Sequence, residues 1–381
     1  MIRIKAGPPR RPRLRTQPRK TLRTAVARGI ARGSFGGSRR FRRALAFGLP
    51  TVWGVTAVTY RLACPLAQQN GLGARIASSA VFFAVGTGLL LHVRHAFLQE
   101  LSQVRKVAGA AQDVLLRPLP PRIDGLHIAA TRLSADRGAT IGGDLYDVIA
   151  TEHGVRVVMG DVRGHGLAAL GPVAAVLGSF REAGHDEPEL AHVLRRLERA
   201  LARHLRERAR AEHPSAGQDP ASPVAEEFVT VLLLEIGHDG QVRALNCGHP
   251  WPYRLGDGRA EPLTRTEPLP PLGAFPLPDD LPTTDCGRLL PGDALFLHTD
   301  GLEDARDGRG RFFPLPAALS EAVRSDPTDP QTVLRIVFKG LRHHTGGSLS
   351  DDVACLVLRN DRPHRCAPMG ARGTDTCGSA A

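Results

Sequence analysis

Gly142-Gly143-Asp144-Leu145-Tyr146-Asp147 and Gly160-Asp161-Val162-Arg163-Gly164-His165-Gly166 flank one apolar run, Val155–Met159. Asp161 follows that run after Gly160, so it ends a buried strand. Leu145–Ala150 reads as the strand before it, and Glu152-His153-Gly154 as the turn between the two. Strands joined by so short a turn pair antiparallel.

Outward from this hairpin the same rhythm repeats. Leu126–Leu133 comes before it. Phe228–Ile236 and Val242–Asn246 follow, joined at Asp239-Gly240, and Tyr253–Leu255 runs into the turn Asp257-Gly258. Ala294–His298 and Val353–Leu358 close the series. Helical patterns at Leu167–Phe180, Glu189–Arg208, Leu315–Arg324 and Pro330–His343 stand between strands as blocks. Antiparallel strands with helices inserted in this way predict an α+β fold, two sheets with helices outside. Residues 211–225 read as a mobile surface loop and 361–381 as a disordered tail.

The acids with unusual placement all lie at strand ends. Asp144, Asp147 and Asp161 are joined by Asp300, in His298-Thr299-Asp300-Gly301, and by Asp351-Asp352 before the last strand. A carboxylate just after a buried strand can point into a shared cleft, where neighbouring glycines let carbonyls and water approach. Carboxylates crowded there repel unless divalent cations lie between them. All-oxygen ligation suits Mg²⁺ or Mn²⁺; zinc would call for His or Cys. Any one Asp-Gly reads more readily as a turn, so the weight rests on the set. Gly164-His165-Gly166-Leu167-Ala168-Ala169 also fits the dinucleotide-binding form G-x-G-x-x-A. That fold needs a second parallel strand after the helix, whereas a second helix follows here, and Asp161 would face the pyrophosphate.

The first hundred residues differ in kind. Residues 1–43 hold 15 Lys and Arg and no acid, while the remainder holds 35 basic against 38 acidic groups. The positive charge belongs to an arm, which argues against a nucleic-acid-binding body. Ala44–Tyr60 and Ile76–Val93 lack Asp, Glu, Lys and Arg and are 17 and 18 residues long, short but sufficient for two transmembrane helices. The connector Arg61–Arg75 is short, and cations flank the pair on the outer sides, so both termini are expected in the cytoplasm. The arm can rest on anionic lipid. Export signals fit poorly: Ser38-Arg39-Arg40-Phe41 lacks the twin-arginine spacing, and Arg61 spoils a lipoprotein reading of Leu62-Ala63-Cys64. From Ala96 to Arg117, Leu98, Leu101, Val104, Ala108, Ala111 and Leu115 recur at helical spacing and stop at Pro118. This is a linker helix packed on the next domain, a candidate homodimer contact for signalling, or both. The six cysteines form no C-x-x-C pair, so a disulfide framework and a cysteine zinc site are not expected.

The order GGDLYD, GDVRGHGLAA, FVTVLLLEI, LNCGHPWP, PPLGAFP, GDALFLHTDGLEDARD, SDDVACLVL resembles the metal-dependent protein phosphatases of the 2C-like (PPM) class. It is most similar to their bacterial branch, typified by the sporulation protein E phosphatase and the stress sigma-factor regulators. The likeness runs from about Ala110 to Arg359 and includes AAQDVLLRPLPP before the domain. It implies a PPM-type β-sandwich flanked by helices, here preceded by the two-helix transmembrane hairpin, and two Mn²⁺ or Mg²⁺ ions in a cleft. By this resemblance Asp161 bridges both metals with the Val162 carbonyl beside it, Asp144 serves the second metal, and Asp300 and Asp351 serve the first. Asp352 is expected to stand aside, as are His165 and His298. No counterpart of the eukaryotic phosphate-binding arginine is found, and Leu145 replaces an aromatic residue expected at the cleft rim.

The organisation expected is therefore a basic arm at 1–43, two spans within 44–93, a linker helix at 94–117, a phosphatase domain at 118–360 and a tail at 361–381. The resemblance implies a membrane-held serine/threonine phosphatase using a metal-activated water on a phosphorylated anti-anti-sigma-type protein. A catalytically silent sensor or scaffold is the alternative, with a dinucleotide-binding oxidoreductase behind it; the intact aspartates weigh against the first. The charge asymmetry predicts topology. A reporter active only outside the membrane should work when fused after Gln69 and stay silent after Arg359, and the reverse pattern would overturn the orientation.

Overall fold

The computed structural model describes residues 52–56, 59, 72–134, 142–164, 166–212, 227–325 and 329–363. These divide between two units, residues 1–100 and 101–381. Helix α1 runs unbroken from Leu72 to Leu115, so the second expected span and the linker are one helix. Within it Ser79–Gln99 is long and apolar enough to cross a membrane, with mean hydropathy 1.5 and none of it buried. It is the one such helix among the described residues. Of the first expected span, only 52–56 and 59 are described, and they are helical. There Trp53 Nε1 donates to the Phe82 carbonyl at 3.3 Å, and the two rings lie 5.4 Å apart. The arm 1–43 lies outside the described residues, as do 213–225 of the expected loop, whose first two residues end a helix, and 364–381 of the tail.

Among the described residues of the second unit, eleven strands make two antiparallel sheets. One has the order β1 (Arg122–Ile123), β2 (Leu126–Leu133), β11 (Val353–Asn360), β10 (Ala294–His298), β7 (Tyr253–Gly256), β8 (Arg259–Pro262). The other has the order β3 (Asp144–Thr151), β4 (Gly154–Val162), β5 (Val229–Ile236), β6 (Gln241–Cys247), β9 (Thr284–Arg288). Successive side chains on a strand point to opposite faces, and here both faces are buried. Val155, Val157 and Met159 meet Leu232 and Leu234, and across the gap Leu295, Leu297 and Leu356, in a core between the sheets. On the other face of β4, Val158 and Val162 pack beneath helices α2 (Leu170–Asp186) and α3 (Leu190–Glu212). The first sheet turns Phe296, Cys355 and Val357 outward to helices α5 (Leu315–Ser325) and α6 (Pro330–His344), beyond the short α4 (Asp300–Glu303). The layers run helix, sheet, sheet, helix.

Most elements fall where the apolar periodicity places them. The differences are instructive. Helix α2 begins at Leu170, after a 3-10 turn at Gly166–Ala168. The two-residue β1, paired with β2, was not expected, nor were β8 and β9, because Arg-Ala-Glu-Pro and Thr-Asp-Cys-Gly-Arg carry few strand formers. Pairing with β7 and β6 at the sheet edges supplies their order. Of the expected linker stripe, Leu98 and Ala111 are exposed, while Gln112 and Leu116 are buried and Leu115 packs on the core. The side chains at 101–108 lie outside the description.

A buried ion pair joins the sheet to the helices beside it. Arg156 is fully buried on the helix-facing side of β4, directly across the ladder from Glu235. Its Nε and Nη2 donate to Glu235 Oε2 at 2.9 and 2.7 Å. The same guanidinium donates to the carbonyls of Gly184, Glu187 and Pro188 at 2.9, 2.5 and 2.7 Å, and so ties the α2–α3 corner to the sheet. Removing one member of such a group strands the other charge in the interior. Arg156→Ala should lower the unfolding free energy by about 3–5 kcal/mol in a urea titration. A loss under about 1 kcal/mol would show that the corner is held by apolar packing alone.

Candidate metal centre

The β3–β4 register sets Asp144 directly opposite Asp161. Asp161 continues the inward row of Val155, Val157 and Met159, and Asp144 that of Val148, so both stand at one end of the gap between the sheets. Asp147, three residues after Asp144, falls on the opposite face. There its carboxylate meets Arg181 Nε of α2 at 2.6 Å and accepts Val148 N at 2.8 Å. Arg181 also donates to the Leu115 carbonyl at 2.7 Å, so Asp147 serves packing.

From the other sheet, Asp300 opens α4 immediately after β10, and Asp351 and Asp352 lead into β11. Thr299 ties these strand ends together: its N–H donates to the Ala354 carbonyl at 3.1 Å, and its hydroxyl accepts Ala354 N at 2.9 Å. Gly301 makes the approach feasible. A Cβ there would strike the Asp352 carbonyl oxygen and lie 3.4 Å from Asp351 Cβ.

The carboxyls act on one another across the two sheets. Burial, then Asp161 and Asp352, hold Asp144 well above the usual carboxylate range. Burial, then Asp300, Asp351 and Asp352, push Asp161 up to about 8. Burial and Asp351 also raise Asp300. The charges that act on each of the three are carboxylates. Asp352, expected to stand aside, is among those felt by both Asp144 and Asp161.

Oxygen atoms converge beside this cluster. A Cβ at Gly143 would collide with the Val162 carbonyl oxygen, lie 2.5 Å from Asp161 Oδ1 and 3.1 Å from the Gly164 carbonyl oxygen. That cradle, with the surrounding carboxylates, is a donor set chemically suited to a hard divalent cation. Among the described residues no three Asp, Glu, His or Cys side chains close on one point. Main-chain oxygen and solvent would have to complete the coordination of a cation held by these acids.

His165 lies outside the described residues. His298 points away from the cluster, with ring centroids of Tyr253 and Phe296 each 5.9 Å from its own, and burial lowers its pKa to about 4. Leu145 was expected at the cleft rim. It is instead fully buried beneath α2, because strand alternation turns it away from Asp144. Two contacts went unread in the sequence. Gln112 on α1 exchanges hydrogen bonds with the Gly142 main chain at 3.1 and 3.2 Å, two residues before Asp144. Thr230 and His249 stand behind Asp161. Only a polar residue on a helix face turned inward, and the block Asn246-Cys247-Gly248-His249, could have signalled them.

Strand β5, which follows the two helices, runs antiparallel to β4. That removes the parallel crossover a dinucleotide site requires. The model of the family Stage II sporulation protein E (SpoIIE) matches residues 151–361. The chain belongs to the SpoIIE family. Asp161, Asp300 and Asp351 fall inside the matched stretch, and Asp144 just before it.

Solved structures similar to this SpoIIE-family chain include three phosphatase-domain proteins. The SiaA-PP2C domain of Pseudomonas aeruginosa is 18% identical with a TM-score of 0.50, over 69% of this chain and 98% of that one. The RsbU and RsbW domains of a Mycobacterium tuberculosis protein are 24% identical (TM-score 0.48), over 63% of this chain and 61% of that one. The PP2C domain and regulatory fragment of SpoIIE from Bacillus subtilis are 14% identical (TM-score 0.46), over 61% and 63%. The first of these likenesses shows the shared PPM-type α+β architecture. The chain spans under two thirds of the length of the other two.

The raised carboxyls imply a pH dependence for the cation-free protein. Folded Asp161 and Asp144 keep protons that an unfolded aspartate, titrating near 4, has released. The contribution of Asp161 to stability is therefore present below about pH 4 and lost as pH rises through about 8, and that of Asp144 is lost in the same direction. In chelator the thermal midpoint should fall between pH 5 and 8, and Mn²⁺ should restore it most at the upper end. A midpoint that rises over that range would contradict the crowding of these acids.

Proposed function

We propose that this SpoIIE-family chain is a Mn²⁺- or Mg²⁺-dependent phosphatase of phosphoserine and phosphothreonine in proteins. The observation that supports it best is the meeting of Asp144 and Asp161 from one sheet with Asp300, Asp351 and Asp352 from the other. Buried carboxylates acting mainly on each other are stable as anions only beside a cation. Asp144, Asp161, Asp300 and Asp351, with the Val162 carbonyl beside Asp161, would hold two such ions. Two such ions, when bound, would supply an acidified water for in-line attack and neutralise the phosphoryl oxygens. The protein's part is to hold oxygen donors rigidly at the ends of packed strands.

No side-chain nucleophile competes with water in this reading. Burial pushes the Cys247 thiol up to about 12, and Cys355 also stands well above its ordinary range, so neither offers a thiolate. His298 is buried, neutral and turned into the helix layer.

The substrate proposed is a phosphorylated regulator of the anti-anti-sigma type, on family membership. The domain 118–360 would act in the cytoplasm, held to the membrane by spans within 44–93 and by the arm 1–43 on lipid. The linker at 94–117 would offer a homodimer contact. The apolar stretch Ser79–Gln99 supports the membrane part.

The full chain in detergent should hydrolyse p-nitrophenyl phosphate with Mn²⁺ or Mg²⁺ and stop in excess chelator. Asp161→Asn should abolish turnover with the fold intact. Asp147→Asn should retain turnover while losing about 1–3 kcal/mol of stability through its pairing with Arg181. Full activity in chelator, or in Asp161→Asn, would sink the two-cation reading.

A further inference from the structure

Two polar side chains behind Asp161 have no part in the scheme above. Thr230 faces Asp161 across the β4–β5 ladder, and its hydroxyl accepts the Asp161 N–H at 3.1 Å. The same hydroxyl lies 3.4 Å from the Asp161 carbonyl oxygen and 3.0 Å from His249 Nδ1. It has one proton to give, and the shorter path leads to Nδ1. His249 then carries its own proton on Nε2. This neutral form suits the site, since burial and then the neighbouring His298 lower the pKa of His249 to about 3.

The ring is fixed in place. His249 is 3% exposed, its carbonyl accepts Asn246 Nδ2 at 2.8 Å, and its N–H donates to Asn246 Oδ1 at 2.9 Å. Nε2 is buried without a full hydrogen bond, and the His298 main chain, two residues before Asp300, is a polar neighbour. His249 therefore stands between the sheet that carries Asp161 and the strand end that leads to Asp300.

We propose that His249, acting through Thr230, is a positioning residue. It orients the Thr230 hydroxyl, which fixes the main chain at Asp161 and with it the carboxylate and the Val162 carbonyl. The cation-affinity part of this inference rests on the cation-binding reading of the cleft; the main-chain part does not. Groups that orient metal ligands from behind are typically worth about 10–100-fold in metal affinity. A histidine that merely filled space would have no such effect through Thr230.

The test uses the full chain in detergent and two measurements other than activity. Calorimetric Mn²⁺ affinity should weaken about 10–100-fold in Thr230→Val and in His249→Gln, and recover in Thr230→Ser. The double variant should be little weaker than either single one, because both act on one path. Amide hydrogen exchange at residues 160–163 of the metal-free protein should accelerate in the same two variants. Should Thr230→Val fail to fold, His249→Gln decides by the same two readouts. Wild-type affinity and wild-type exchange in these variants would overturn the proposal. If the unaltered chain bound no Mn²⁺ yet exchange accelerated in both, the positioning of Asp161 would stand and the cation reading would fall.

Discussion

Mutual repulsion among Asp144, Asp161, Asp300, Asp351 and Asp352 is the constraint on which the rest of this structure depends. Buried like charges push apart and push their own pKa values up, as Asp161 shows. Only a stiff frame keeps them together. Two sheets packed through a continuous apolar layer, with helices closing both outer faces, provide one. The acids all sit at strand ends, where the frame is rigid, and they range from buried Asp144 to exposed Asp351.

Arg156 and Asp161 lie on the same strand and illustrate two treatments of a buried charge. Arg156 meets a carboxylate and three carbonyls, and its charge is spent on holding a helix corner. Asp161 meets further acids and a main-chain hydrogen bond, and its charge stays available to a ligand. A buried ion matched to the opposite charge is structural, whereas crowded carboxyls of one sign raise one another's pKa values. The same contrast separates Asp147, matched to Arg181, from Asp144.

Main-chain placement matters as much as side-chain chemistry. Gly143 and Gly301 let backbone oxygens close in where a methyl group would not fit. Gln112 holds Gly142 from the helix side, and Thr230 holds Asp161 from the neighbouring strand. These contacts act on the backbone that carries the acids, so the geometry of the cluster is set one layer behind the carboxylates.

The sequence by itself determined the elements and the identity of the acids. Apolar runs marked eight of the eleven described strands, because strands that pack on both faces are mostly apolar, and Asp144, Asp161, Asp300 and Asp351 were visible as a set, each at a strand end beside glycine or a second acid. Local pattern could not show which acids share a face with a distant strand. Tertiary structure alone decided that Asp147 turns outward to Arg181, that Leu145 lies beneath α2, that Asp352 is felt by Asp144 and Asp161, and that His249 reaches Asp161 through Thr230. The reason is physical. Periodicity records how a strand divides its own two faces, whereas these relations depend on register and on which sheets meet, quantities set by pairing between segments far apart in the chain.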